Sequence, residues 1–183
     1  MSDTAAFVYL AGAIDLAPDL GGGWRGQITD FLQARGCEVA DPAQMQASVL
    51  GLEVKALIAL RGTDEERFKQ QTRRVIEHDL GFVAERATCI VAMVDEHARM
   101  GTYAELAIAF LNGVPIFIIC PDRARLSGWA LSCADAVFER LQDLLEWLSN
   151  DSAPDAPLPE RLMRRRAEGR SRRRPCVPKV HGN

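Results

Sequence analysis

The sequence lacks the features that mark membrane and secreted proteins. Its 183 residues include no apolar run approaching the roughly 20 residues that a membrane span requires. The first residues, MSDTAAF, have neither the basic nor the apolar region of a signal peptide. We therefore expect a soluble, cytoplasmic protein with no membrane partner.

Cysteine and histidine are too sparse to indicate a disulfide framework or a metal centre. The five cysteines are odd in number and form no C-x-x-C pair, and most lie in apolar runs. Free, buried thiols are therefore expected. The chain has three histidines, and His97 has no second histidine at ligand spacing. No metal or other cofactor is predicted.

Charge is distributed unevenly along the chain. From Glu160 onward there are nine Lys or Arg against two Glu, about +7, although the whole chain carries a formal charge of −3. A polar, proline-rich segment, Ser149–Pro159, precedes this basic end. We predict one folded domain over residues 1–148 and a disordered linker and basic tail over residues 149–183.

The basic tail suggests one further partner. Its arginines could neutralise the phosphates of a nucleic acid, but no aromatic residues are interleaved with them to stack on bases. Non-specific charge contacts or a contribution to solubility are the simpler expectation.

Apolar runs alternate with helical patterns along residues 7–148. Strands are predicted at Phe7–Leu10, Cys37–Ala40, Thr88–Val94 and Val114–Cys120, and helices at Trp24–Arg35, Asp64–Ala84, Thr102–Asn112 and Val137–Leu148. Residues 45–60 give only a weak helical pattern, residues 61–64 resemble a loop, and Thr63 with Glu66 fits a capping box. The alternation predicts an α/β fold, a roughly five-stranded, mostly parallel sheet with helices on both faces.

Two turns that follow predicted strands are candidate ligand sites, because α/β sheets bind ligands beyond the carboxyl ends of their strands. After the first strand, Gly12, Ala13 and Asp15 form a turn whose small residues allow close approach of a ligand to the backbone. Later, Gly101 opens a helix that contains Glu105. The positive end of the helix dipole is expected to keep this carboxylate ionised, as a nucleophile must be. A surface role for Glu105 is the alternative.

A second acid, Asp79, lies among apolar residues near the end of the preceding helix, just before the strand that leads to Glu105. Together the two acids suggest a division of labour between a proton donor and a nucleophile. His78 is adjacent to Asp79, but successive helix residues point about 100° apart, which favours a surface position for this histidine.

At these residues the sequence resembles the nucleoside 2-deoxyribosyltransferase family and the related nucleoside 5'-monophosphate N-glycosidases. The resemblance spans about residues 7–140 and rests on Tyr9-Leu10-Ala11-Gly12, on Asp79, and on Gly101-Thr102-x-x-Glu105-Leu106 followed by Ala109 and VPIFII. It implies that residues 1–148 are a catalytic domain, that Glu105 attacks the anomeric carbon and that Asp79 contacts and protonates the departing base. It also implies that Tyr9 orients the nucleophile.

Departures from the family pattern leave the reaction open between transfer to a free base acceptor and hydrolysis. Arg99 stands six residues before Glu105, where the transferases resemble one another in carrying an aspartate, and an arginine there could bind a phosphate. Ser127 resembles a phosphate-contacting serine that the glycosidases lend across a dimer interface, whereas Asp15 would repel a phosphate. Asp135 lies near a position where transferases lend a sugar-binding residue to the adjacent subunit.

The resemblance implies a homodimer or larger homo-oligomer that binds a nucleoside or nucleotide. A nucleoside 5'-monophosphate N-glycosidase is the alternative function, and a non-catalytic nucleotide-binding sensor is a further one. The presence of Tyr9, Asp79 and Glu105 together argues against the sensor.

Overall fold

Five parallel strands form the centre of the computed structural model, which describes residues 5–150 and 156–172. The strands are β1 (Phe7–Ala11), β2 (Glu38–Ala40), β3 (Cys89–Met93), β4 (Ile116–Ile119) and β5 (Ala136–Phe138). They pair in the order β2-β1-β3-β4-β5, and every pairing is parallel. The predicted α/β fold with a five-stranded parallel sheet is confirmed.

Eight α-helices surround the sheet within the described residues. They are α1 (Gly22–Gln33), α2 (Pro42–Leu50), α3 (Val54–Thr63), α4 (Glu65–Glu85), α5 (Met100–Leu111), α6 (Gly128–Cys133), α7 (Leu141–Asn150) and α8 (Leu158–Arg172). A single 3₁₀ turn, Arg123–Arg125, precedes α6.

The sheet has an apolar core on each face because successive strand residues point to opposite sides. One core contains Tyr9 and Ile90 together with residues of α4 and α5. The other contains Leu10 and Val91 together with residues of α1, α7 and α8. Helices therefore cover both faces, which explains why β3 and β4 are continuous apolar runs.

The strand order places a topological switch point between β1 and β3. From β1 the chain moves to one side to form β2, and it then returns to form β3 on the other side of β1. The loops that leave the carboxyl ends of β1 and β3 consequently diverge and leave a crevice between them, where ligands of such sheets bind. Gly12 lies on one side of this crevice and α5 begins on the other.

Residues 42–63 form two helices, so the weak pattern and the predicted loop at residues 61–64 were misleading. Asp41 caps α2 by accepting a hydrogen bond from Ala43 N, and Pro42 occupies the first helical position. The predicted capping box at Thr63 is wrong: Thr63 belongs to α3 and donates to Ala59 O, and Asp64 caps α4 instead. Burial of apolar residues in α3, such as Leu57, extends the helix beyond its local signals.

The predicted helix Val137–Leu148 begins too early. Ala136–Phe138 pairs with β4 as the edge strand β5, and α7 starts at Leu141. This strand has three residues, too few to show a period of two, and its pairing with β4 determines its conformation.

The predicted disorder after residue 148 is wrong for Leu158–Arg172, which forms α8. Leu158 and Leu162 lie four residues apart, on one face of the helix, and join the second core. One turn later the buried Arg166 donates to the carbonyls of Ala84 and Asn112. A few apolar residues are enough to pack α8 against the core because they lie on one face of the helix. Residues 151–155 and 173–183, which include part of the predicted tail, lie outside the described residues.

Within residues 5–150 and 156–172, no single helix is long and apolar enough to cross a membrane. The helices α2 and α3 pass that test only as a pair, with a bend of 68° between them. The thiols of Cys37, Cys89 and Cys120 are free and buried, as predicted. Cys176 lies outside the described residues.

Candidate active site

A cavity of about 530 Å³ opens at the switch point. Its volume falls within the range of about 300–1,000 Å³ that is typical of small-molecule sites. The walls come from the turn after β1, from α2 and α3, from α4, and from the loop and first turns of α5. Most of the lining is apolar, and its polar and charged members are Asp15, Gln46, Arg61, Thr72, Asp79, His97, Arg99, Thr102 and Glu105.

Glu105 and Tyr9 are joined by a hydrogen bond beside this cavity. Tyr9 is fully buried on the face of β1 that packs against α4 and α5, with its ring 6.0 Å from that of Phe82. Its hydroxyl donates to Glu105 Oε1 at 2.8 Å, although 96 residues separate the two in sequence. Pairing of β1 with β3 brings the two together, because α5 follows β3. Glu105 lines the cavity, whereas Tyr9 lies behind it.

The electrostatic setting of Glu105 differs from the prediction. The residue is in the second turn of α5, which begins at Met100, and the helix dipole acts mainly within the first turn. The pKa of Glu105 is raised to about 8, chiefly by burial and in smaller part by the Asp79 carboxylate. The Tyr9 hydrogen bond and the Arg25 charge lower it. This raised pKa favours the protonated acid at neutral pH, in contrast to the ionisation by the helix dipole that the sequence predicted.

The phenol of Tyr9 is a donor over the whole physiological pH range. Burial raises the pKa of Tyr9 well above its usual value, and the negative charges of Glu105 and Asp79 act in the same direction. Its proton therefore remains available to a Glu105 carboxylate, and this hydrogen bond stabilises the ionised form.

Asp79 lines the same cavity from α4 and is only 8% exposed. Burial raises the pKa of Asp79, while the neighbouring His78 lowers it. His78 Nδ1 lies 3.0 Å from Asp79 Oδ1. The predicted surface position of this histidine did not include a direct contact with Asp79. Asp79 is thus an acid whose surroundings favour retention of a proton, as a proton donor needs.

Five further predicted residues line the cavity: Gly12, Ala13, Asp15, Arg99 and Gly101. Asp15 does not stand alone as a negative charge, because Arg61 Nη2 of α3 lies 2.7 Å from its Oδ2. Arg99 precedes α5 and is exposed, and its Nη1 donates to the carbonyls of Glu96 and Ala98.

Ser127 and Asp135 are not among the residues that line the cavity. Ser127 caps α6 by accepting from Ala130 N. Asp135 accepts from Ile116 N at 2.8 Å and so helps to join β5 to β4. Within one chain both side chains therefore support the fold. A contribution of either residue to an adjacent subunit stays a prediction.

The prediction missed the cavity residues on α3 and at the start of α4, and it missed Arg25. Arg61 and Phe68 were overlooked because the helical pattern of this region is weak. Arg25 is 1% exposed and lies behind the turn that contains Gly12. It had a signal in the sequence, since it precedes Ile28 by three residues and Leu32 by seven, and so lies on the apolar stripe of α1.

No group of three or more His, Cys, Asp or Glu side chains in the described ranges is arranged to hold a metal ion. The polar groups in and beside the cavity include two acids of raised pKa, the Tyr9 hydroxyl, and cations at the edge of the cavity.

Comparison with known proteins agrees with the architecture. No family model and no curated protein matches the chain. Among solved structures, a 2-deoxyribosyltransferase from Bacillus psychrosaccharolyticus is similar, with 20% identity, a TM-score of 0.55, and coverage of 84% of this chain and 96% of that chain. A weaker similarity joins 78% of this chain to 98% of a CMP N-glycosidase from Clostridium botulinum, at 15% identity and a TM-score of 0.48. The first similarity confirms, at the level of the fold, the resemblance that the motifs indicated.

Proposed function

We propose that this protein cleaves the N-glycosidic bond of a nucleoside or nucleotide through a covalent glycosyl–Glu105 intermediate. One observation carries the proposal: two acids of raised pKa, Asp79 and Glu105, line one cavity, and the second accepts a hydrogen bond from the buried Tyr9. Nucleophilic substitution at an anomeric carbon needs a carboxylate on one side and a proton donor for the leaving group.

In the first step, a Glu105 oxygen bonds to the anomeric carbon while the bond from that carbon to the base nitrogen breaks. Asp79 gives its proton to the departing base, which would otherwise leave as an unstable anion. In the second step, an acceptor base or water attacks the anomeric carbon, Glu105 leaves as a carboxylate, and the attacking group returns a proton to Asp79. Protons and charges balance over the cycle, and no cofactor is needed.

The attacking form of Glu105 is the carboxylate, whereas its pKa of about 8 favours the acid at neutral pH. The reactive form has Glu105 ionised and Asp79 protonated, so activity should pass through a maximum as the pH changes. The Tyr9 hydroxyl, at 2.8 Å, is the donor that stabilises the carboxylate once it forms.

Transfer to a second base is our primary proposal, in keeping with the transferase-like motifs and fold. Hydrolysis of a nucleoside 5'-monophosphate is the second candidate, favoured by Arg99, an exposed cation on the cavity wall. Gln46 on α2 offers both a donor and an acceptor to a base edge, and Phe68 offers an aromatic ring. Every residue in these proposals lies within residues 1–148, the predicted catalytic domain.

We further propose that the protein acts as a homo-oligomer of at least two chains. The outer side of α5 and the adjacent α6 expose large apolar side chains, among them Met100 at 85%, Trp129 at 86% and Leu111 at 58%. Exposed apolar residues grouped in this way are typical of contact surfaces between chains. A second copy on this side would also approach Ser127, the residue predicted to serve an adjacent subunit.

The test of the reaction incubates the protein with nucleosides and nucleoside 5'-monophosphates, with and without a free acceptor base, and follows base release by chromatography. Base exchange that requires the acceptor supports transfer, and release without it supports hydrolysis. Acid quenching during turnover followed by intact-mass spectrometry should show a fraction of the protein heavier by one sugar, with the added mass on the peptide that contains Glu105.

Glu105→Gln is the decisive variant because it keeps the size of the side chain and removes the nucleophile. It should abolish both turnover and the mass increase. Glu77→Gln makes the same chemical change on the exposed side of α4 and should behave as wild type. Full turnover by the Glu105 variant would refute the covalent route, and tight nucleotide binding without any turnover in wild type would support the sensor alternative.

A further inference from the structure

Among the described residues, Arg25 is the one cation that is almost fully buried beside the candidate site. Its side chain is 1% exposed, and it emerges from the first turns of α1 toward the turn after β1. Nη2 donates to the carbonyl of Gly12 at 2.9 Å, and Nη1 donates to those of Ala13 and Leu20 at 3.2 and 3.1 Å. Gly12 and Ala13 are cavity residues, so the guanidinium fixes part of the cavity wall from behind.

The local sequence is adapted to this arrangement. Gly21 has a φ of 71°, and a Cβ at this position would lie 2.0 Å from Arg25 Nη1 and 2.7 Å from Ala13 O. Only a glycine leaves room for the guanidinium beside the turn. The planar fork of arginine is also required, since one ammonium group cannot reach three carbonyls from two sides.

The charge of Arg25 is only partly compensated. Nε lies 3.5 Å from Asp41 Oδ1, and this buried Nε has no hydrogen-bond partner. The same Asp41 oxygen instead accepts the hydrogen bond from Ala43 N at 2.9 Å. A loosely paired, buried cation acts over a longer range than an exposed one, because the surrounding protein screens it poorly.

From these contacts we propose that Arg25 is a positioning residue for the reaction at Glu105, holding the Gly12–Ala13 wall and supplying the positive charge that favours the Glu105 carboxylate. This inference rests on the proposed function for its catalytic meaning. Three groups act on Glu105 from the surrounding elements, Tyr9 of β1, Asp79 of α4 and Arg25 of α1, and Asp41 at the start of α2 pairs with Arg25. Of these, Arg25 is the only positive charge, and it lowers the pKa of Glu105.

The test measures the ionisation of Glu105 directly, by ¹³C NMR of the full chain with label in the glutamate side-chain carboxyl carbons. The Glu105 signal is identified by its absence from Glu105→Gln. Arg25→Met should shift the titration midpoint of Glu105 upward, because it removes the favourable charge. Asp41→Asn should shift it downward, because it removes a negative charge and leaves Arg25 uncompensated, while the amide oxygen can still cap α2.

Two variants make the same charge changes on exposed residues of the α1 region, Asp30→Asn and Arg35→Met, and should leave the midpoint at its wild-type value. Arg25→Lys separates charge from shape: the midpoint should stay near wild type, while KM rises at least several-fold because the cavity wall loses carbonyl contacts. If Arg25→Met does not fold, the proposal is still tested by comparing the titration midpoint of Glu105 in Asp41→Asn with that in Asp30→Asn.

Shifts of opposite sign for Arg25→Met and Asp41→Asn support the proposal, since a merely structural residue would not produce them. Shifts of the same sign, or none, overturn it. Failure of the proposed reaction would be seen in a separate measurement. The wild-type protein would then turn over no substrate, whatever the NMR midpoints show. Turnover with a KM unchanged in Arg25→Lys would overturn the part of the proposal that concerns the cavity wall.

Discussion

Replacing Glu105 by glutamine should stabilise the protein at alkaline pH while removing its activity. In the folded chain burial raises the pKa of Glu105 from 4.5 to about 8. Between these two values the folded protein keeps a proton that the unfolded chain has released, so the free energy of unfolding falls as the pH rises through this window. Glutamine does not titrate, and the variant escapes this loss.

The size of the effect follows from the linkage between pKa and stability. At about 1.4 kcal/mol for each pKa unit, the full change corresponds to at most about 5 kcal/mol. Glu105 faces the cavity, where water relieves part of the cost of ionisation, and a gain of about 2–4 kcal/mol for the variant at pH 9 relative to pH 5 is a realistic expectation. Asp79, whose pKa burial also raises, remains in both proteins and largely cancels from the comparison.

Urea unfolding at half-unit steps from pH 5 to pH 9, followed by tryptophan fluorescence, gives the two stability curves. The difference between variant and wild type should grow across this range and level off above pH 8. Asp30→Asn, which changes an exposed acid, should give a difference that does not vary with pH. A constant difference for Glu105→Gln as well would show that Glu105 ionises normally and would refute the reasoning from burial.

Three other predictions concern the Tyr9 hydrogen bond, the contact between α8 and the end of α5, and the proposed oligomer. Tyr9→Phe removes a hydrogen bond to a charged group, worth about 1.5–3 kcal/mol, and should lower kcat/KM by roughly 10- to 100-fold, whereas Tyr103→Phe, the same change at the other tyrosine, should have little effect. Gly169→Ala places a Cβ 2.5 Å from Gly113 O and should destabilise the folded protein by about 1–3 kcal/mol in thermal unfolding. Gly81→Ala, whose Cβ meets open space within α4, should instead stabilise it by about 0.5–1 kcal/mol. Trp129→Ser should shift the protein toward monomers in size-exclusion chromatography with light scattering, and a monomeric wild type at micromolar concentrations would contradict the proposed oligomer.

The sequence predicted those strands whose conformation follows from burial on both faces. β3 and β4 are continuous apolar runs, and no local competitor obscures them. β5 escaped prediction because three residues show no periodicity and their state depends on pairing with β4. The helix α8 escaped prediction for a related reason: its high charge indicates disorder, and only the folded protein shows that Leu158 and Leu162 meet a complementary core.

The sequence pointed to several residues of the candidate site but not to its electrostatics. Motif resemblance identified Tyr9, Asp79 and Glu105, and the folded chain places a hydrogen bond between the first and the third. The raised pKa of Glu105 depends on burial by distant segments, so no local motif could indicate it. Arg25 was not identified from the sequence, although its position on the apolar stripe of α1 indicated burial.

Arg166 contacts two helices that the ribosome synthesises long before it. Ala84 lies in the last turn of the helix that carries Asp79, Asn112 is the C-cap of the helix that carries Glu105, and one guanidinium binds both carbonyls. During translation every residue that lines the cavity is synthesised before Arg166. A message cut short between codons 150 and 158 would thus encode all the proposed catalytic residues and all five strands, but not α8 and its Arg166. An intact set of motifs in a shortened gene is consequently weak evidence of a working protein.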